Sequence, residues 1–333
     1  MRNLSLIIAF IIALIATACN NNSNVVVVYT TVDQIFSEPV LKEFESGTGI
    51  TVKAVYDTEE TKSTGVLNRL IAEKDNPQCD VFWSGDPVRT IVLKSKHITT
   101  PYQSPVANDI DMVFKDPEYH WTGFSARARV LIYNINLLTA ADVPQSIFDL
   151  TKEKYRGKVA IANPLFGTTT FHIAALFTAI GDEKAKQFLA DLKSNDMVIA
   201  TSNGDVKKRV TQGEIACGLT DTDDAYEAIK EGANVGIVFL DQQGIGSLIM
   251  PNTLSLINNS PNPANAKKLM DYLLSKETEA GLAISCAQMP LHKGVETPGN
   301  IPSLDHIVPM KIDYDKTAKK LEEIQYYLKE WAE

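Results

Sequence analysis

The hydrophobic pattern of the first hundred residues predicts three parallel strands with helices between them. Residues 25–29 are four valines followed by a tyrosine, which is typical of a buried strand. Residues 50–56 alternate apolar and polar positions, and residues 80–83 form a third short strand. The first helix is predicted to begin near Ser37, with Pro39 in its first turn. A β-α-β-α-β order predicts a parallel sheet covered by helices.

The rest of the chain continues this alternation. A long strand is predicted at residues 124–134, and shorter ones at 159–162, 198–200, 213–219 and 235–240. Helices are predicted at 172–180, 206–212, 264–275, 276–285 and 315–331. The pattern therefore predicts an α/β fold, and 333 residues are enough for two lobes.

The acidic turn after the strand at 213–219 is the most informative stretch. Thr220, Asp221, Thr222, Asp223 and Asp224 place hydroxyls and carboxylates between this strand and the helix that follows. Ligands of open α/β sheets bind at the carboxyl ends of strands, so this turn is a predicted ligand site. The alternative is that one aspartate caps the helix and the others interact favourably with its dipole.

Two further groups have a chemistry that suits an anion. Arg127 and Arg129 share one face of the long strand by its two-residue period. Thr168, Thr169 and Thr170 lie at a predicted helix start, where free backbone N–H groups favour an anion. The alternatives are solvated surface arginines and an ordinary threonine cap.

The composition describes a globular protein with no nucleic-acid partner. The chain is 44% hydrophobic and 22% charged, with a formal net charge of −9. It has no basic stripe that would release counterions from a phosphate backbone.

The N-terminus predicts export. Arg2 is followed by an apolar run at residues 4–15 and by small residues before Cys19, so residues 1–18 are a predicted signal peptide. The run is too short for a comfortable transmembrane span. The position of Cys19 resembles a bacterial lipobox, although Ala16 stands where leucine is commoner. We predict that Cys19 is lipidated and that residues 19–24 form a polar tether, which gives a membrane-anchored exported lipoprotein. The alternative is plain cleavage with a soluble product.

The other cysteines give no evidence of a disulfide or a zinc site. Cys79, Cys217 and Cys286 lie in small or apolar surroundings and are predicted to be buried free thiols. There is no C-x-x-C pair, and the five histidines are scattered.

Several motifs together resemble a known family. V-V-V-Y-T-T-V-D-Q, D-V-F-W-S-G-D, A-R-A-R-V-L-I-Y-N, G-T-T-T-F and Q-G-E-I-A-C-G-L-T-D-T-D-D-A occur in this order. The chain resembles ABC-transporter solute-binding proteins of the ferric-ion-binding type over nearly all of residues 25–291. The resemblance implies the two-lobed type II periplasmic-binding-protein fold, with mostly parallel sheets flanked by helices and a strand hinge. Residues 25–125 with 246–333 would form the first lobe and residues 126–245 the second. The lobes would close around the ligand.

The resemblance also implies the ligand residues. Asp33, Gly85-Asp86 and Asp223-Asp224 stand where the ferric-binding proteins place histidine, glutamate and paired tyrosines. The positions that contact the anion fit better, and they include Arg127 and Asn203. The complete predicted ligand-binding set is Thr30, Thr31, Asp33, Gly85, Asp86, Arg127, Gly167, Thr168, Thr169, Asn203 and Thr222, with Asp33, Asp221, Asp223 and Asp224 as metal ligands.

A cleft with both signs of charge fits two kinds of ligand. One is a hard cation, Fe³⁺ in this family, with carbonate or phosphate as the bound anion. The absence of tyrosinates weakens selectivity for Fe³⁺ and leaves room for other hard cations. The other is a zwitterion such as an aminophosphonate. The partners implied by the resemblance are an ABC permease and ATPase, and the protein is expected to be a monomer without a cofactor.

Two other function classes are less well supported. An exported hydrolase would need a catalytic motif, but neither G-x-S-x-G nor H-E-x-x-H occurs in the sequence. A surface adhesin would need no closed polar cleft. The sequence therefore favours a binding protein over an enzyme.

Overall fold

The computed structural model describes residues 24–57, 65–165, 167–298, 301 and 303–333; the predicted signal peptide and Cys19 lie outside them. Ten strands pair within these residues: β1 (Val25–Thr30), β2 (Thr51–Tyr56), β3 (Val81–Ser84), β4 (Thr99–Thr100), β5 (Thr122–Asn134), β6 (Val159–Ala162), β7 (Val198–Ala200), β8 (Cys217–Asp221), β9 (Val235–Val238) and β10 (Ile249–Ile257). Their order is β2-β1-β3-β10-β5-β8-β6-β7, with β4 beside β10 and β9 beside β5. The parallel pairing of β1 with β2 and β3 confirms the prediction for the first hundred residues.

Helices pack on both groups of strands. The α-helices of the described residues are α1 (Gln34–Thr48), α2 (Gly65–Ala72), α3 (Pro87–Ser95), α4 (Gly167–Ile180), α5 (Asp182–Ser194), α6 (Asn203–Thr211), α7 (Thr222–Lys230), α8 (Pro263–Leu273), α9 (Lys276–Cys286) and α10 (Tyr314–Ala332). No helix in the described part of the chain has the length and apolar composition that a membrane crossing requires.

Strand β5 belongs to both groups of strands. Residues 122–128 pair antiparallel with β10, and residues 129–133 pair antiparallel with β8. The two pairings meet between Ala128 and Arg129. Ser125, whose φ of +41° is unusual for a residue with a side chain, lies at the register shift within the pairing with β10. The long strand predicted from the sequence is therefore the structural link between the β2-β1-β3-β10 group and the β8-β6-β7 group.

The structure differs from the sequence prediction at one helix boundary and at one strand. Helix α1 begins at Gln34, so Pro39 lies inside the helix rather than in its first turn. Strand β10 covers nine residues, Ile249–Ile257, and no strand was predicted there from the sequence. All nine residues are buried although several are polar, so the expected alternation is missing, and Pro251 lies at a register shift, where a strand tolerates proline.

The C-terminal helix α10 does not lie only on the first lobe, where it was predicted. The ring of Tyr314 stacks on Phe171 of α4 with centroids 6.2 Å apart, and the indole N–H of Trp331 donates to the carbonyl of Leu189 in α5. Helix α10 therefore packs against helices of the predicted second lobe. The lobe boundaries themselves stay a prediction.

The three cysteines of the described residues are buried free thiols, as predicted. Burial raises the pKa of Cys217 and of Cys286 to about 12, which keeps both thiols protonated.

Candidate functional site

A buried ion pair joins Arg129 of β5 to Asp221 at the end of β8. The two residues face each other across the antiparallel pair, and Nη1 of Arg129 lies 2.7 Å from Oδ1 of Asp221. The other carboxylate oxygen of Asp221 accepts hydrogen bonds from the Thr168 hydroxyl (2.8 Å) and the Asn203 amide (3.2 Å). The arginine side chain is only 1% exposed, so it is not a solvated surface residue. Strand β5 therefore brings the predicted acidic turn and the start of α4 into one network.

Asp221 occupies the N-cap position of α7 but makes no side-chain capping bond. Its carboxylate faces the two arginines instead, so the helix-cap alternative does not describe this residue. The hydroxyl of Thr222 accepts the backbone N–H of Ala128 (3.2 Å), which ties the first turn of α7 to β5.

Arg127 connects the two groups of strands directly. Its Nη2 donates to the carbonyl of Gly85 in the turn between β3 and α3 (2.5 Å), and its Nη1 lies 3.3 Å from Oδ2 of Asp223. A Cβ atom on Gly85 would lie 3.3 Å from Nη2, so glycine allows this close approach. Burial alone would lower the pKa of Arg127, but the charges of Asp223 and Asp221 outweigh it and raise that pKa.

Three carboxylates converge at the start of α7. One oxygen each from Asp221, Asp223 and Asp224 lies within 4.8 Å of the others. Burial raises the pKa of Asp223, with Arg127 opposing the shift. Burial and the charge of Asp223 raise the pKa of Asp224 to about 7. The like charges are thus only partly compensated by the arginines, and a cation at this point would relieve the repulsion.

The start of α4 lies against the arginines of β5. Gly167 has a φ of +60° and opens the helix, and the hydroxyl of Thr169 accepts a bond from Arg129 Nη2 (3.4 Å). Among the described residues, Nε of Arg127 and Nε of Arg129 are buried without a hydrogen-bond partner. Unpaired buried donors are costly, and an anion between the arginines and the helix start would satisfy them.

The predicted residues of the first group of strands serve mainly to shape the turns. The hydroxyl of Thr30 accepts the N–H of Val32 (3.0 Å), and that of Thr31 accepts the N–H of Gly85 (2.9 Å). The carboxylate of Asp86 caps α3 by accepting the N–H of Val88 (2.9 Å) and also pairs with Arg89.

Asp33 lies apart from the three converging carboxylates. It is exposed at the N-cap position of α1 and makes no side-chain cap to that helix. Its charge contributes to raising the pKa of Arg127. The structure therefore gathers three of the four predicted metal ligands into one group, with the fourth outside it.

Sequence reasoning missed a third arginine in this region. Burial lowers the pKa of Arg89 to about 10; the nearby Asp57 opposes this shift and Arg127 adds to it. The spacing between Asp86 and Arg89 could have identified this arginine. A basic residue three positions after an acidic N-cap can pair with it across the first helical turn.

The comparisons with known proteins agree with this architecture. The profile of a family described as bacterial extracellular solute-binding protein matches residues 40–307. Iron uptake protein A1 from Synechocystis sp. is 26% identical over 305 residues, which cover 88% of this chain and 81% of that protein. The Salmonella typhi protein named "Putative 2-aminoethylphosphonate-binding periplasmic protein" is 26% identical over 292 residues, which cover 86% of this chain and 80% of that protein.

A solved structure confirms the fold. The apo ferric ion-binding protein A of Pasteurella haemolytica superposes with a TM-score of 0.84 at 24% identity, covering 93% of this chain and 98% of that one. The fold is therefore the type II periplasmic-binding-protein fold, as predicted.

Proposed function

Because this chain belongs to the bacterial extracellular solute-binding protein family, we propose that it is the solute receptor of an ABC importer. It captures a small ligand between its lobes and delivers it to the permease, and an ATPase powers transport. It acts as a monomer and catalyses no reaction.

We propose that the ligand is iron(III), or a similar hard cation, bound together with a small anion. The convergence of Asp221, Asp223 and Asp224 within 4.8 Å carries this proposal, because hard cations prefer carboxylate oxygens. Iron uptake protein A1 and ferric ion-binding protein A, named above, support the same ligand class.

The anion would lie between the arginines and the start of α4. The Nε atoms of Arg127 and Arg129 have no hydrogen-bond partner among the described residues, so both could donate to an anion. The N-terminal amides of α4 carry a partial positive charge that would also attract it. Carbonate and phosphate are the candidates, since each offers several acceptor oxygens and ligates a hard cation.

The contact between Arg127 and Asp223 favours a second candidate. A cation alone must compete with an arginine for Asp223, and an anion alone must compete with a carboxylate for Arg127. A zwitterion such as 2-aminoethylphosphonate supplies both charges at once, and the Salmonella protein supports this chemistry.

Thermal unfolding with a panel of ligands tests both candidates. The mature protein, stripped of metal, would be mixed with ferric citrate plus carbonate or phosphate, or with 2-aminoethylphosphonate. A ligand at about 100 times its Kd adds roughly 2.7 kcal/mol, a shift of several degrees. A shift with iron alone supports the first candidate, a shift with the phosphonate alone supports the second, and no shift with any of them contradicts both.

A double variant locates the binding site. Changing Asp223 and Asp224 to alanine should abolish the shift, whereas the control Asp75→Ala with Asp196→Ala removes two exposed carboxylates and should preserve it. Retained iron binding in the first variant would show that the carboxylate group is not the metal site.

We also propose that Cys19 carries the lipid that anchors the protein. Cys19→Ser should release an exported product from the membrane fraction, and continued membrane association of that variant would contradict the lipidation.

A further inference from the structure

A polar cavity lies beside the start of β5, away from the proposed ligand site. It has a volume of about 120 Å³ and includes Gln103, Ser104, Asn108, Lys115, Tyr119 and Thr122 in its lining. Thr122 is the first residue of β5, five positions before Arg127, which corresponds to roughly 16 Å along an extended strand. This cavity is therefore separate from the residues of the proposed ligand site.

The charged group of this cavity is Lys115. The residue is only 8% exposed, and its Nζ makes no hydrogen bond or ion pair with any part of the chain that the structure describes. Covering most of a lysine side chain without pairing its ammonium group is unusual. Burial accordingly lowers the pKa of Lys115.

The carboxylates near Lys115 have other partners. Asp109 binds Lys276 and His292. Asp111 caps a short 3-10 turn by accepting the N–H of Val113. Asp116, the next residue in the chain, pairs with Lys94. Lys115 is the one charged residue among the described lining residues. The lining residue Ser104 donates to Asp271, and the charges of Asp109 and Asp111 partly oppose the lowering of the Lys115 pKa.

We propose that this cavity is a binding site for a small free oxyanion of phosphate size, with Lys115 as its counter-charge. The lining supplies further donors, since it includes the amides of Gln103 and Asn108 and the hydroxyl of Thr122. Its volume is about ten times the minimum that a single water needs, which leaves room for a four-oxygen anion. An anion bound in this cavity would stabilise the start of β5 without occupying the proposed ligand site.

Counting bound anions tests this proposal independently of the cleft. Equilibrium dialysis with radioactive inorganic phosphate would compare the mature protein with Lys115→Met and with the control Lys96→Met, which removes an exposed lysine outside the cavity. We expect Lys115→Met to bind one phosphate fewer per chain, and Lys96→Met to bind as many as the unmodified protein. The difference holds whether or not the cleft itself takes up phosphate.

Equal binding by the unmodified protein and Lys115→Met would overturn the proposal, as would an equal loss in Lys96→Met. Thermal unfolding adds a second readout. We expect a phosphate-dependent increase of the midpoint in the unmodified protein and no such increase in Lys115→Met. If the methionine variant does not fold, Lys115→Gln takes its place and must show the same loss of one phosphate.

Discussion

The buried pair of Arg129 and Asp221 leads to a prediction about stability without ligand. Arg129→Met leaves the Asp221 carboxylate in a site where its side chain is 3% exposed, with hydrogen bonds from Thr168 and Asn203 but without its 2.7 Å cation. Removing one partner of a buried pair costs about 3–5 kcal/mol, because the remaining charge stays desolvated. Because Nη1 of Arg127 still lies 3.8 Å from Oδ2 of Asp221, we expect Arg129→Met to lower the free energy of unfolding by about 3 kcal/mol, the lower end of this range.

The assay is urea unfolding of the metal-free mature protein, with a double-mutant cycle. Adding Asp221→Asn to Arg129→Met removes the stranded charge, so the double variant should be more stable than the single arginine variant. The control is Arg156→Met, which breaks a pair whose side chains are 46% and 77% exposed and should cost at most about 1 kcal/mol. If Arg129→Met costs no more than the control, the pair is not a desolvated one and the reasoning is refuted.

Three further predictions concern the surroundings of the site. The buried carboxylate of Glu279 accepts the backbone N–H groups of Ser125, Leu291 and His292. Glu279→Gln should lower the free energy of unfolding in urea by about 2 kcal/mol, because the new amide N–H₂ would face these N–H donors. Burial would raise the pKa of Asp109, but hydrogen bonds led by that from Lys276 lower it to about 2. The stabilisation by Asp109 is therefore present above the unfolded pKa near 3.8 and is lost as pH falls towards 2. In Asp109→Asn, the free energy of unfolding should fall by about 1 kcal/mol less over this acid range, after allowance for solvent screening. Gly218→Ala should cost about 1–3 kcal/mol in the same assay, since its Cβ would lie 2.4 Å from Val206, and an unchanged midpoint would contradict this packing.

The sequence predicted the elements that follow simple periodicities. The valine run of β1 was recognised by its continuous apolar signal. The long β5 was recognised although it includes Ser125, Arg127 and Arg129, because its two-residue period places both arginines on one face. The acidic turn was also located, since its residues are contiguous in the chain and follow a strand.

The errors arose where tertiary contacts replace the local pattern. Strand β10 is buried on both faces but includes Asn252, whose amide donates to the Ser125 carbonyl and to Gln288, so polar residues occur where the period predicts apolar ones. The partners of Asp221 come from β5, α4 and α6, and no spacing in the sequence states that these elements meet. Pairings of this kind depend on the closed packing of the whole chain.

The two arginines of β5 have different roles because they differ in solvation. Arg129 and Asp221 are 1% and 3% exposed and share hydrogen bonds with Thr168, so a ligand that separated them would expose a buried network. Arg127 and Asp223 are 18% and 21% exposed at 3.3 Å, a longer contact at the edge of the same network. Breaking the ion pair of Arg127 and Asp223 therefore costs less free energy than breaking that of Arg129 and Asp221, and a ligand would displace it first. The ion pair of Arg129 and Asp221 would then stay intact when the ligand binds. A shift of Arg127 would change its hydrogen bond to the carbonyl of Gly85, which couples ligand binding to the β2-β1-β3-β10 group of strands.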